Sequence, residues 1–85
     1  MKIRRTASFL KDYRSLPPEI QKRIDKQIVL LIENPKHPSL RMKKLKGTNI
    51  WELRITKGYR MTLKYVEDFL ELRRVGTHDI LRQEG

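Results

Sequence analysis

Residues 51–65 read WELRITKGYRMTLKY. Trp51, Leu53 and Ile55 alternate with Glu52, Arg54 and Thr56, and beyond Lys57-Gly58 the residues Tyr59, Met61, Leu63 and Tyr65 alternate with Arg60, Thr62 and Lys64. A period of two describes a strand with one apolar and one polar face, and a Lys-Gly pair between two such runs describes a tight hairpin turn. The apolar face needs cover. On the opposite face Glu52, Arg54, Arg60 and Lys64 stand together.

The cover comes from upstream. Met1–Thr6 alternates weakly and reads as a first strand, after which Thr6 or Ser8 caps a short helix carrying Phe9, Leu10, Tyr13 and Leu16. Pro17-Pro18 ends it, because a residue before proline is pushed out of the helical region. Pro18 and Glu19 suit the first turn of a second helix, with Ile20, Ile24, Ile28 and Leu31 in one stripe and Lys22, Arg23, Lys26 and Glu33 opposite, until Asn34-Pro35 stops it. Two such helices make an antiparallel hairpin whose apolar faces look the same way. Downstream, Glu67-Asp68 turns the chain into Phe69–Val75, where the alternation breaks at Arg73-Arg74, a place for a β-bulge. Gly76-Thr77 closes that strand, and His78–Arg82 reads as a terminal turn or frayed helix. The order β-α-α-β-β-β predicts an α+β domain spanning residues 1–85, with a helical hairpin on one face of an antiparallel twisted sheet and the other face free.

An 85-residue chain buries a thin core, and with no cysteine it has neither disulfides nor thiolate metal sites. Its longest apolar run, Ile28–Ile32, is far short of the ~18 residues that cross a bilayer, so the expectation is a soluble, cytoplasmic protein with no membrane partner. The formal charge of +10 favours a polyanionic partner, for which nucleic acid, an acidic protein or an anionic membrane surface would each qualify. Distribution sharpens this: residues 36–46 (KHPSLRMKKLK) hold Lys36, Arg41, Lys43, Lys44 and Lys46 and no acid, the footprint of a phosphate-binding surface. His37 has no acid or cysteine nearby, so neither zinc nor catalysis is expected of it. Trp51, Tyr59 and Tyr65 read as core rather than as base-stacking platforms, with Tyr59, beside the turn, as the exception.

Residues 43–65 (KKLKGTNIWELRITKGYRMTLKY) and 73–82 (RRVGTHDILR) together resemble the RelE/ParE superfamily of type II toxin–antitoxin toxins. The resemblance extends over essentially the whole chain: a strand, a helical hairpin, a basic LKG segment, a W-x-L-R-I…Y-R strand pair and a closing V-G-x-H. It implies a metal-independent endoribonuclease that needs no cofactor, cuts messenger RNA on the ribosome and is neutralised by a cognate acidic antitoxin. In such enzymes a base deprotonates the ribose 2′-hydroxyl, which attacks the adjacent phosphate and expels the 5′-oxygen. The resemblance assigns Arg54 and Arg60 to phosphate binding or transition-state stabilisation, for which forked guanidinium donors are suited. It assigns Lys44 and Lys46, with neighbouring Lys43, to the RNA backbone. His78 matches a histidine of the YafQ branch, and the resemblance assigns it proton donation, a role an imidazole fills with little tuning.

Two positions depart from the family pattern. Glu52 stands where the RelE branch has a lysine; it either replaces a basic residue as general base or pairs with Arg54 or Lys64. Arg82 stands where many members place a base-stacking aromatic, and its planar cation can stack on a base or hold phosphate. Each of these residues also has a plain structural reading: the arginines as a solvated strand face, the lysines as non-specific charge, the histidine as part of a strand end. Two other functions share the fold, namely ParE-like inhibition of DNA gyrase without catalysis and a degenerate member that only binds its antitoxin.

Overall fold

The computed structural model describes residues 2–84; Met1, assigned above to the first strand, lies outside them. The elements are β1 (Lys2–Arg5), α1 (Ala7–Arg14), α2 (Pro18–Glu33), a 3-10 turn (Pro38–Leu40), β2 (Lys43–Lys44), β3 (Trp51–Arg54), β4 (Arg60–Val66), β5 (Phe69–Gly76) and α3 (Ile80–Glu84). Thr6, the first of the two expected caps, does several jobs between β1 and α1. Its backbone is extended and its Oγ1 accepts the Phe9 amide at 3.1 Å, satisfying one of the free N–H groups of a helix start. The same hydroxyl and the Thr6 amide donate to the Leu72 carbonyl at 3.0 and 3.2 Å, so one residue ends a strand, begins a helix and ties both to β5.

Pro18 occupies the first turn of α2, where its missing N–H costs nothing. The predicted stripe is buried: Ile24, Ile28 and Leu31 join Phe9 from α1 and Leu40 from the 3-10 turn against Leu53, Met61, Leu63, Leu70, Leu72 and Val75 of the sheet. Ile20 is half-buried beside them. Among the described residues no helix is long and apolar enough to cross a membrane.

The sheet order is β1-β5-β4-β3-β2. The three pairings from β2 to β5 are antiparallel, as expected, but β1 runs parallel to β5, with Ile3 opposite Leu70 and Arg5 opposite Leu72. The sheet is therefore mixed. Three successive reversals leave β5 opposed to β2, so a β1 that is also opposed to β2 must lie parallel to β5 along its free edge. β2 is a strand of two residues, too short for alternation to reveal.

The paired arginines do hold a bulge. Thr62 faces Arg74 but Leu63 faces Leu72, which leaves Arg73 as the extra residue of β5. The insertion changes the phase of the strand, so that Leu70 and Leu72 before it and Val75 after it all face the core.

Candidate functional site on the outer face of the sheet

Cross-strand pairing sorts the outer face into two rows. The first runs Lys43, Glu52, Thr62, Arg74; the second runs Arg54, Arg60, Gly76. Thus Glu52, Arg54 and Arg60 share one end of the sheet with Lys43 beside Glu52, and the chain leaving Gly76 delivers His78 next to that end. Lys44 is opposite Trp51, so it leaves the strand on the helical side rather than with Lys43. Lys46 sits in the following loop, which is closed by the Leu45 amide on the Ile50 carbonyl at 2.8 Å and by Thr48 Oγ1 on the Leu45 carbonyl at 2.9 Å. Lys43, Lys44, Lys46 and Arg82 are all exposed.

Arg60 is differently placed from a free surface cation. Its Nη1 donates to the carbonyls of Thr56, Lys57 and Tyr59 at 2.7, 3.2 and 3.1 Å, and its Nε lies 3.5 Å from Glu52 Oε1. The two side chains are 14% and 16% exposed. Arg60 therefore clasps the β3–β4 turn and is paired with Glu52, whose carboxylate takes Arg60 rather than the Arg54 or Lys64 considered from the sequence. Arg54, the other arginine of its row, is half-exposed. His78 is exposed, its backbone carbonyl accepting the Leu81 amide at 3.1 Å at the start of α3; the neighbouring Asp79 is exposed as well.

The outer face is less open than alternation suggests. A Cβ added to Gly76 would point to the same face as Arg60 and meet Ile80 Cγ2 at 3.0 Å. Ile80 is 7% exposed, so the start of α3 partly covers this end of the sheet. Thr62, placed outward by its phase, is fully buried; its Oγ1 accepts the Arg74 amide at 3.1 Å and so serves the bulge.

Long-range contacts invisible in the sequence hold the strand end that carries His78. Asp12 of α1 takes Arg74 through two bonds, Nε–Oδ2 at 2.7 Å and Nη2–Oδ1 at 3.1 Å, and accepts the Val75 amide at 3.1 Å. It thus partners a β5 amide beyond the last β1 pairing. Sixty-two positions separate Asp12 from Arg74, and no local pattern announces the pair. The aromatic exception is also another residue: Tyr59 is half-buried, whereas Tyr65 is 43% exposed. β3 starts at Trp51 opposite Leu63, so Tyr65 projects beyond the end of β3, with Trp51 edge-on at 6.3 Å.

No family model and no curated protein sequence matches the chain. Solved structures do. YafQ from E. coli superposes with a TM-score of 0.78 at 19% identity, covering 94% of this chain and 96% of its own. The YoeB/ParE toxin from Agrobacterium tumefaciens gives 0.79 at 24% identity over 92% and 99%. The RelB–RelE antitoxin–toxin complex from Methanococcus jannaschii gives 0.73 at 25% identity over 96% and 98%. A mixed five-stranded sheet with its helical pair, matched over 92–96% of the chain by these three structures, gives this chain the fold of the YafQ, YoeB/ParE and RelE toxins.

Proposed function

We propose that the protein is the toxin of a type II toxin–antitoxin pair: a cytoplasmic endoribonuclease that cuts messenger RNA at the ribosome and is silenced by an acidic antitoxin. The observation that carries the reading is the convergence, at one end of the outer face, of Arg54, the Arg60–Glu52 pair and the strand exit leading to His78. Arg54 binds the scissile phosphate and stabilises its pentavalent state. His78, exposed and next to that phosphate, donates a proton to the departing 5′-oxygen. Glu52 is the one carboxylate in the two rows and takes the proton of the attacking 2′-hydroxyl, with Arg60 orienting it from 3.5 Å. The 2′-oxygen–phosphorus bond forms as the phosphorus–5′-oxygen bond breaks, giving a cyclic phosphate and a 5′-hydroxyl. Every group in this scheme is a side chain of the protein, and Lys43, Lys46 and Arg82 hold the flanking backbone, while Lys44, on the helical side of β2, takes no part at this face. The E. coli DinJ–YafQ and M. jannaschii RelB–RelE complexes are precedents for an antitoxin partner.

Binding without catalysis, as in ParE-like inhibition of gyrase, draws on a different observation: Arg60 is committed to turn carbonyls. The two readings separate in a reconstituted translation system. The expected outcome is cleavage within the message by the parent, a fall of roughly 10²–10⁴ for His78→Gln, and a loss of about a hundredfold for Arg54→Ala. Intact message together with blocked gyrase supercoiling would sink the nuclease and establish the binding mode.

A further inference from the structure

Behind the β3–β4 turn, on the side away from His78, lies a second cationic feature. A cavity of about 840 Å³ opens between α2, the 3-10 turn and the end of β3, and Arg23, Lys26, Arg41, Arg54 and Lys57 line it with no acid among the lining residues. The acid between the two α2 cations, Asp25, is turned away and accepts the Tyr13 hydroxyl at 2.9 Å. Arg23, Lys26, Gln27 and Leu30 follow one another at helical spacing, so a single face of α2 forms one wall. Gln27 joins that wall to the sheet, its Nε2 donating to the Arg54 carbonyl at 2.8 Å.

Two further details make the lining donor-rich. His37 Nδ1 accepts the Ser39 amide at 3.1 Å; a backbone nitrogen can only donate, so the ring hydrogen of the neutral imidazole sits on Nε2 and His37 is a donor there. Arg41 adopts φ 47, a left-handed conformation that glycine and asparagine reach at lower cost and that is worth explaining in a residue with a long charged side chain.

We propose that this cavity is a second phosphodiester subsite, which grips the RNA strand beyond the phosphate that reacts. The inference rests on the nuclease reading in one respect: Arg54 belongs both to the outer-face row and to the cavity lining, so a strand bound at Arg54 meets a cationic continuation across the turn. Five cations along about 840 Å³ exceed what a single phosphate can use and match several consecutive ones. The strand enters over the sheet, passes the β3–β4 turn and runs along α2.

The test is binding of a short 2′-O-methyl RNA oligonucleotide, which has no 2′-hydroxyl and cannot be cleaved, followed by fluorescence anisotropy across a salt series. Arg23 and Lys26 are exposed helix residues, so Arg23→Ala with Lys26→Ala leaves the fold intact. The double variant is expected to bind at least about tenfold more weakly at low salt, with the slope of log K against log salt reduced by about 1.4, the value for two lost phosphates on a single strand. Lys11→Ala with Arg14→Ala, an equal charge change on α1, is expected to bind close to the parent. Equal losses in both double variants would overturn the proposal in favour of net charge alone. Loss of affinity for a polyglutamate peptide with the oligonucleotide unaffected would overturn it in favour of an acidic protein partner. Because cleavage plays no part in the readout, a protein that never cuts message yet shows the Arg23/Lys26 effect retains this subsite while losing the nuclease assignment.

Discussion

Arg60 shows how far a residue's sequence position and its use can diverge. Alternation places it correctly on the outer face, yet its guanidinium ties three carbonyls of the β3–β4 turn together and leans on Glu52. Arg60→Ala is therefore expected to lose about 1.5–3 kcal/mol of stability, the usual worth of hydrogen bonds made by a charged group, as read by urea denaturation. Arg60→Lys should recover only part of it, since one ammonium cannot reproduce the fork. A variant as stable as the parent would show that the clasp is not holding the turn. Any loss of activity in Arg60→Ala must accordingly be measured against its stability, whereas half-exposed Arg54 gives the cleaner reading of phosphate contact. Which face Glu52, Arg54 and Arg60 occupy was legible in the sequence because side chains alternate. That Arg60 turns back on the backbone was not, because that depends on where the carbonyls of residues 56–59 point.

At the scale of the element, the helical hairpin was readable because its apolar residues repeat at helical spacing and its ends are marked by prolines. What fastens the two helices was not. Gln21 Nε2 donates to the Tyr13 carbonyl at 2.8 Å, and the Tyr13 hydroxyl donates to both Asp25 oxygens at 2.9 and 3.1 Å. Burial first, and then the Asp25 hydrogen bond and charge, raise the Tyr13 phenol above its ordinary value, while Arg5 pulls the other way. A pKa raised on folding stabilises the native state below the unfolded pKa, and that contribution is lost as pH rises through the higher folded value. The stability of the parent should thus fall as the solution is taken above about pH 10. Tyr13→Phe should show a flatter alkaline limb in thermal melts; an unchanged limb would remove Tyr13 from the account. The β5 bulge was foreshadowed by two consecutive arginines that break the alternation. Its fastening to Asp12 was not, since nothing local connects residues so far apart in sequence.

For the whole molecule, charge and core size pull in opposite directions. A formal +10 on 85 residues makes the compact state repel itself, and the ion pairs Asp12–Arg74, Glu71–Arg73 and Glu52–Arg60 relieve only part of that. Salt shortens the range of the repulsion to about 8–10 Å at physiological strength. The melting temperature should therefore rise between about 10 mM and 150 mM salt, over the range where the screening length falls most steeply. A flat or falling trend in calorimetry would mean that specific ion pairs outweigh the overall repulsion. The same imbalance explains why net charge pointed to a polyanionic partner from composition alone, while the place of contact needed the fold: Arg23 and Lys26 read as a solvated helix face until the 3-10 turn and β3 close around them.

The parallel docking of β1 on β5 has a consequence for how the chain comes to be folded. Ile3 finds its partner at Leu70 and Arg5 at Leu72, so β1 leaves the ribosome with no edge to join until β5, more than sixty residues on, has been made. Closing a loop of that length costs entropy before it returns any contact. The hairpins β2–β3, β3–β4 and β4–β5 are local and can form without that delay. β1 and the α1 helix capped by its successor Thr6 are consequently the last parts of the sheet layer to settle. The strand end that carries His78 gains its Asp12 and Thr6 fastenings only once β1 and α1 have docked on β5, so the outer-face constellation is completed by that late step.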